Sequence, residues 1–408
     1  MNKINKIEPK TLKGFRDFLP KEALKRQRLI GQLRSVFELF GFDPLETPAL
    51  EYEEILTGKY GEEGEKLMYR FTDQGGRKIA LRYDQTVPLA RVIAQYPELP
   101  KPFKRYQIQP VWRGENPQKG RFREFLQCDI DIVGANGLSA EAEVISCALE
   151  AAKNLGFKNV KMLINDRSSF NNLKPEFIIA IDKLKKIGKE GVVGELIERG
   201  ADPDWAKRFI SAIDQTRPEP SFITISNYLK VLGYIEGVDF EFDPTLARGL
   251  DYYTGPIFEL VVEDYKAGSL GGGGRFDKLI SSFSENTFPA VGFSFGFDRL
   301  MDAMDELGLS FQETSSIKVY VTVFSQELRD KSLEIAQKLR KNGINTDINL
   351  DINYSLDKQL KYADQKMIPY AVIVGPEEAE SNFVTLKNLK QVSQEKVPLD
   401  SLIEKLRQ

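Results

Sequence analysis

Between Lys101 and Arg123 the chain carries Lys101, Lys104, Arg105, Arg113, Lys119, Arg121 and Arg123, opposed by Glu115 alone. Alternation sorts these charges. In a strand over Arg121–Ile132, the residues Phe122, Leu126, Cys128, Ile130 and Ile132 point one way; Arg121, Arg123, Phe125, Gln127, Asp129 and Asp131 point the other. On Tyr106–Arg113, Gln107, Gln109 and Arg113 likewise share a face, and Gly114–Gly120 reads as the loop joining the two strands into an antiparallel hairpin. Guanidinium, amide and carboxylate groups gathered on one surface suit a phosphate and an amino acid. A plain structural hairpin with a solvated basic face fits the pattern equally well.

Three further stretches could carry chemistry. Val291–Arg299 alternates Phe293, Phe295 and Phe297 with Gly292, Ser294 and Gly296, which leaves one sheet face bare for a flat ligand or for tight helix packing. Arg248–Gly255 sets a charge and two phenols, Tyr252 and Tyr253, between glycines; a tyrosine-rich turn is the plainer alternative. Gly271–Gly274 is followed by Arg275 rather than Lys-Ser or Lys-Thr, which argues against a P-loop and for a close backbone approach or a mobile loop.

The chain of 408 residues contains no histidine. Imidazole bases, Ser–His and Cys–His nucleophiles and His-ligated zinc are thereby excluded. Cys128 and Cys147 are too few for a disulfide framework or a thiolate metal site, so no protein-held metal is expected and a reducing, cytoplasmic setting is. No apolar run approaches a membrane span, and the polar, Lys-rich N-terminus does not resemble a secretory signal. With 57 basic and 60 acidic residues the net charge is −3, so any RNA contact must come from local patches.

The elements that must position these groups follow from periodicity. A helix starts after Pro20 and stops at Gly41, with Ala23, Ile30, Leu33, Val36, Phe37 and Phe40 at helical spacing. Strands are expected at Ile79–Tyr83, Tyr106–Arg113, Arg121–Val133, Ile257–Val262 and Ala290–Phe297, with a helix capped by Ser139 and another from Asp298. Asn165–Gly237 reads as a charged helical insertion whose Ile178, Ile181, Leu184 and Ile187 form one stripe. After a polar linker at Ser310–Ser316, strands and helices alternate to the C-terminus, implying a small, largely parallel α/β domain.

These motifs together resemble the class II aminoacyl-tRNA synthetases, and the histidyl-tRNA synthetase family in particular, over nearly the whole chain. Lys13–Pro20 with its helix looks like the dimer-forming first motif, Arg113–Gln127 like the second and Gly292–Leu300 like the third. Arg248–Gly255 and Gly272–Asp277 are similar to the histidine-specific signatures. The resemblance implies an α+β catalytic domain over 1–312, with a mixed, mainly antiparallel sheet flanked by helices and a helical insertion at about 166–237. It also implies a small anticodon-binding-like α/β domain over 317–408.

The activity implied is activation of L-histidine by ATP with Mg²⁺, then transfer to the 3′ end of tRNA(His) by a homodimer. Carried over residue by residue, Arg113 would bind the α-phosphate, with Glu115 and Arg121 also at the ATP site. Phe125 and Arg299 would sandwich adenine. Asp84 and Thr86, with Gln127, would hold the α-amino group. Asp131 and Tyr253, with Tyr252 close by, would read the imidazole. Arg248 would sit between substrate carboxylate and α-phosphate, where other class II enzymes place a divalent metal. Asn116, Gln118 and Lys119 would reach the acceptor stem.

The sequence departs from the family pattern at Phe276, where Tyr is frequent, at Leu126, where many bacterial relatives have His, and in lacking histidine altogether. Two rivals are a non-catalytic paralogue that regulates ATP phosphoribosyltransferase and an uncharged-tRNA sensor module. The intact second motif, the C-terminal domain and the set Arg113, Arg248 and Arg299 argue against both. Because contacts to an acceptor stem position phosphates more than they read bases, Lys119→Ala is expected to weaken aminoacylation more than adenylate formation. Equal losses in the two assays would contradict that role.

Overall fold

The computed structural model describes residues 7–57, 67–116, 122–248, 252–311 and 315–407. Two compact units divide the chain, one running to Ser310 and one from Phe311, the second also taking in Phe18–Lys25.

The first unit opens with helix α1 (Pro20–Leu39), which belongs to it from Arg26 on. Leu29, Leu33, Val36 and Phe37 recur at helical spacing and are buried, and Gly41, with φ of 72°, turns the chain after the helix. Two short strands, β1 (Asp43–Pro44) and β2 (Leu50–Tyr52), precede a one-turn helix, α2 (Glu53–Leu56). Strands β3 (Arg70–Thr72) and β4 (Lys78–Leu81) form a three-stranded sheet with β2, and α3 (Thr86–Gln95) follows. The central hairpin, β5 (Phe103–Trp112) and β6 (Glu124–Val133), leads into α4 (Ser139–Asn154) and β7 (Val160–Asp166).

Beyond β7 the chain runs through α5 (Pro175–Ile181), α6 (Leu184–Glu198), α7 (Pro203–Ala212) and α8 (Pro220–Val231) before returning at β8 (Phe240–Phe242). The unit closes with β9 (Pro256–Val262), β10 (Gly271–Arg275), α9 (Asp277–Ile280), β11 (Ala290–Gly296) and α10 (Phe297–Glu306). The main sheet has the order β1-β5-β6-β11-β10-β9-β7-β8; its six middle strands pair antiparallel, and the two outermost join in parallel.

One face of this sheet is apolar. Cys128, Ile130, Phe293 and Phe295 are buried on it, and Phe37 of α1 packs its ring 6.1 Å from that of Phe295. Helix α4, rich in alanine and so able to approach closely, lies against β6, β7, β9 and β11. The opposite face carries the polar groups.

In the second unit, β12 (Val319–Val321), α11 (Arg329–Lys341), β13 (Thr346–Ile348), α12 (Leu356–Gln365) and β14 (Tyr370–Ile373) alternate as expected. The rest differs. After α13 (Pro376–Glu380) come β15 (Phe383–Asn388) and β16 (Ser393–Pro398), an antiparallel hairpin that makes the sheet β13-β12-β14-β15-β16 mixed; α14 (Leu402–Arg407) ends it. Val384 and Leu386 of β15 are buried, but β16 is exposed except at Val397, so its polar pattern gives no strand signal.

Two local expectations also fail. Ser139 is the first residue of α4, not its cap, and Glu141 in that turn is fully buried in an ion pair with Arg275 at 2.5 Å. The stripe from Ile178 to Ile187 breaks between α5 and α6, leaving Ile187 exposed while Ile178 and Ile181 are buried. Among the described residues, no helix is long and apolar enough to cross a membrane.

Candidate active site

The polar face of the main sheet is organised in cross-strand rows. One row runs Arg105, Asp131, Gly292, Gly274, Ile257 across β5, β6, β11, β10 and β9. Two residues along, a second row runs Gln107, Asp129, Ser294, Gly272, Glu259, and a third pairs Gln109 with Gln127 and Gly296. Direct cross-strand partners stand roughly 5 Å apart on one face, so amide, carboxylate and bare backbone succeed one another within reach of a single small ligand.

The glycines clear this face. A Cβ on Gly272 would run into the guanidinium of Arg248, and one on Gly274 would meet the Tyr253 ring at 2.8 Å. On the other side, a Cβ at Gly271 would strike the ring of Phe293 at 2.8 Å, and one at Gly273 the Phe293 backbone. The four-glycine run is therefore the closely approached strand β10, not a mobile loop. Arg248 and Tyr253 lie over it with the guanidinium carbon 5.9 Å from the ring centre. Burial works against the charge of Arg248, but the negative potential from Tyr253, Glu259, Tyr252 and Asp182 prevails and raises its pKa above the usual arginine value. It stays a cation.

The rings of Tyr252 and Tyr253 meet at a tilt of 44° with centres 4.5 Å apart and hydroxyls 3.4 Å apart. Phe276 meets Tyr252 edge-on at 6.1 Å and is buried in a hydrophobic cluster, so a phenyl satisfies this dry position without a hydroxyl. Leu126 pairs with Pro110 on β5 and alternates away from Gln127, so that departure takes nothing from the polar face.

At the Gln127 end, Arg113, Glu115, Phe122, Phe125, Gly296, Phe297, Asp298 and Arg299 line a cleft of about 250 Å³. Arg113 lies over Phe125, 5.1 Å from the ring centre, and its Nε donates to the Tyr83 carbonyl at 3.1 Å. Arg299 donates to the Ser269 carbonyl at 3.1 Å. An aromatic plane and two anchored guanidiniums can take a nucleobase and its phosphates. Among the described residues no group of three or more Asp, Glu or Cys is arranged to hold a metal.

Gln127 donates to the Ser294 hydroxyl at 3.2 Å while its Oε1 is buried without a hydrogen-bond partner. Asp84 is buried and accepts from the backbone N–H of Val87 at 3.3 Å; Thr86 begins α3 beside it. Asn116 is exposed just beyond the hairpin strands. Gln118, Lys119 and Arg121 lie outside the described residues.

The basic run does not act as one patch. Lys104 turns to Glu143 at 2.7 Å, and Arg123 donates from Nε to the Glu115 carbonyl at 2.9 Å. Two groups receive no role from the sequence: Arg105, assigned only to the basic run but wholly buried against Asp131 at 2.7 Å, and Asp129, which alternation places on this face and which is buried. Their signal was present: charged residues at strand positions in phase with Gln107, Gln109 and Gln127. Burial raises the pKa of both carboxyls, Asp131 to about 7, against the pull of Arg105.

A family model described as histidyl-tRNA synthetase matches residues 14–189 and 196–300, and one described as an anticodon binding domain matches 318–408. The chain is 41% identical over 424 residues to a histidine–tRNA ligase of Aeropyrum pernix, covering 97% of each.

The chain belongs to the histidyl-tRNA synthetase family.

A histidine–tRNA ligase of Cytophaga hutchinsonii is 39% identical, with 98% of this chain and 99% of that one covered. A crystal structure of histidyl-tRNA synthetase from Nostoc sp. PCC 7120 superposes with a TM-score of 0.84 at 30% identity, covering 98% of this chain and 99% of that one. Membership of the family implies use of ATP, histidine and tRNA.

If the bare backbone of β10 exists to admit Arg248, Gly272→Ala should displace that guanidinium and lose about 100-fold in the rate of adenylate formation, the cost of one misplaced electrostatic donor. Single-turnover kinetics on a protein with unchanged circular dichroism checks this; an unaltered rate would refute it.

Proposed function

We propose that this chain is a histidine–tRNA ligase whose first step runs on the polar face of the main sheet. The supporting observation is a pair of cations, Arg113 anchored on the Tyr83 carbonyl and Arg248 lying over β10, flanking a glycine-cleared surface that ends at Asp131 and Tyr253. A histidine carboxylate oxygen attacks the α-phosphorus of ATP, the bond to the bridging oxygen breaks, and pyrophosphate leaves with the electron pair. Negative charge moves but no proton need be taken from the nucleophile. Fixed guanidiniums meet that demand without a general base, which a histidine-free chain does not supply as imidazole. In the second step a ribose hydroxyl at the 3′ end of tRNA(His) attacks the acyl carbon and AMP leaves.

Adenine fits between Phe125 and Arg299, with the α-phosphate at Arg113. The substrate amino group meets Asp84, Thr86 and Gln127, whose orphaned Oε1 is an acceptor in want of a donor. The imidazole lies between Asp131 and Tyr253, with Tyr252 behind. A carboxylate at one ring nitrogen and a phenol at the other reject side chains that lack both groups. Mg²⁺ accompanying ATP would be held mainly by substrate oxygens and water, with Glu115 and Asp298 the carboxylates of the cleft nearest to hand, and would supply charge neutralisation to the leaving pyrophosphate.

Residues 1–312, with an insertion at about 166–237, form the catalytic domain in this reading, and 317–408 the anticodon-binding one. Two copies make a homodimer, for which the exposed Leu50, Tyr52 and Phe71 on the small sheet offer apolar surface. The setting is the cytoplasm, where the two buried free thiols of Cys128 and Cys147 are kept reduced.

Exchange of labelled pyrophosphate into ATP, run separately with each of the twenty amino acids, tests the assignment. Exchange with histidine alone is expected. Absence of exchange with any of them would favour a regulatory or tRNA-sensing protein instead.

A further inference from the structure

Arg105 is an anomaly as a core residue. It is fully buried in a strand whose neighbours on the same face are glutamines, and no solvent reaches its guanidinium. An isolated buried cation is costly, so it persists only where the surroundings compensate it. The compensation comes from the ligand face. Arg105 stands directly across from Asp131, and Asp131 directly across from Gly292, so the three form one line over β5, β6 and β11.

We propose that Arg105 is a positioning residue for amino-acid selection, pairing with Oδ2 of Asp131 so that the carboxylate turns Oδ1 toward the imidazole of the bound histidine. The inference rests on the assignment of Asp131 to the histidine side chain made above.

Three observations carry it. Nη2 of Arg105 lies 2.7 Å from Oδ2 of Asp131, an ion pair that is not aligned as a hydrogen bond, while the other oxygen, Oδ1, fills the space that a Cβ at Gly292 would need. The carboxylate is thus held from behind and leans over bare backbone, on the side where Tyr253 lies over Gly274 in the same row. Second, the Arg105 guanidinium is itself fixed: Nη1 donates to Gln107 Oε1 at 3.2 Å and Nη2 to the Gln85 carbonyl at 3.4 Å. Gln107 in turn donates to the Thr47 hydroxyl at 2.8 Å, and Gln85 to the Gln109 carbonyl at 2.8 Å.

Third, the local charge demands a cation. Asp129 and Asp131 share the face, both nearly without solvent contact, and Asp84 adds a third carboxylate from the segment before α3. Arg82 and Arg113 bear on Asp129, but Arg105 is the cation that acts on both members of the pair. Burial lifts Asp131 to about 7 even with Arg105 in place. Arg105 is the charge that lowers it, so its removal raises the Asp131 pKa further.

The protonation state matters to the ligand. An ionised carboxylate only accepts, and so takes the N–H of a neutral imidazole whose other nitrogen receives the Tyr253 hydroxyl. A protonated carboxyl presents its own O–H and mismatches that ring. Histidine recognition should therefore be complete above the Asp131 pKa and fade as pH falls through it. Removing Arg105 should move that limb upward.

The test is the pH dependence of kcat/KM for histidine in pyrophosphate exchange, with KM for ATP measured alongside. For Arg105→Met the histidine KM is expected to rise about 100-fold at pH 7.5 with the ATP KM changed less than about threefold, and the acid limb to move up by at least one pH unit, a tenfold effect at its foot. Arg105→Lys should restore most of the loss. In an Asp131→Asn background the Met substitution should add little, because the charge it supports is gone.

An unmoved acid limb and unchanged histidine KM in a folded Arg105→Met protein would overturn the proposal. So would equal losses toward histidine and ATP, or an undiminished effect in the Asp131→Asn background. If Arg105→Met does not fold, Arg105→Lys decides: its acid limb should stay within half a pH unit of the parent, and a larger displacement overturns the idea. Wild-type protein with no histidine-dependent exchange would instead remove the underlying assignment, and this inference with it.

Discussion

Three carboxylates and several guanidiniums are kept nearly dry on one side of an antiparallel sheet, and the rest of the first unit is arranged around that constraint. Buried charges of one sign repel and cost desolvation, so each needs an opposite charge at contact distance and a ring of fixed dipoles. Arg105 beside Asp131 supplies the contact. Gln85, Gln107, Gln109 and Thr47 supply dipoles on the β5 side, and Arg82 ties them to the segment before β2 through the Thr47 and Pro48 carbonyls. The opposite sheet face, covered by α1 and α4, is mainly apolar, and charge occurs on it as ion pairs such as Arg275 with Glu141 and Lys104 with Glu143.

The same constraint explains why glycine appears where it does. A sheet face crossed by Arg248 and Tyr253 has no room for side chains on the strands beneath. Gly272, Gly274 and Gly292 are therefore aligned across β10 and β11, while Gly271 and Gly273 accommodate Phe293 on the reverse. Positive charge lies over bare backbone at one end of this face and a ring-lined cleft at the other. Such a pairing suits an amino acid joined head-on to a nucleotide phosphate.

Much of this was legible in the residues. Period-two alternation located β5, β6 and β11 and separated Gln127 and Asp131 from Cys128 and Ile130, because a strand buried on one face writes its orientation into the sequence. What alternation could not tell was whether Arg105 belonged to a solvated basic run or to the core, since both readings place a cation at the same phase. Only the cross-strand register, which puts Asp131 opposite it, separates them. The β15–β16 hairpin escaped for a related reason: an edge strand exposed on nearly every residue lacks the apolar signature on which the reading depends. Gly271–Gly274 escaped because a strand built of glycine has no side-chain pattern at all. The roles of individual side chains came from resemblance to a family, not from periodicity.

The central claim is geometric, and a crystal structure of the protein with histidine and a non-hydrolysable ATP analogue addresses it most directly. The account predicts the imidazole within hydrogen-bonding distance of Asp131 Oδ1 and the Tyr253 hydroxyl, with Arg113 and Arg248 on the α-phosphate and Arg105 still on Oδ2. A ligand bound with Asp131, Tyr253, Arg113 and Arg248 more than about 5 Å from it, beyond any direct hydrogen bond, or an imidazole seated away from the Arg105–Asp131–Gly292 row, would contradict it.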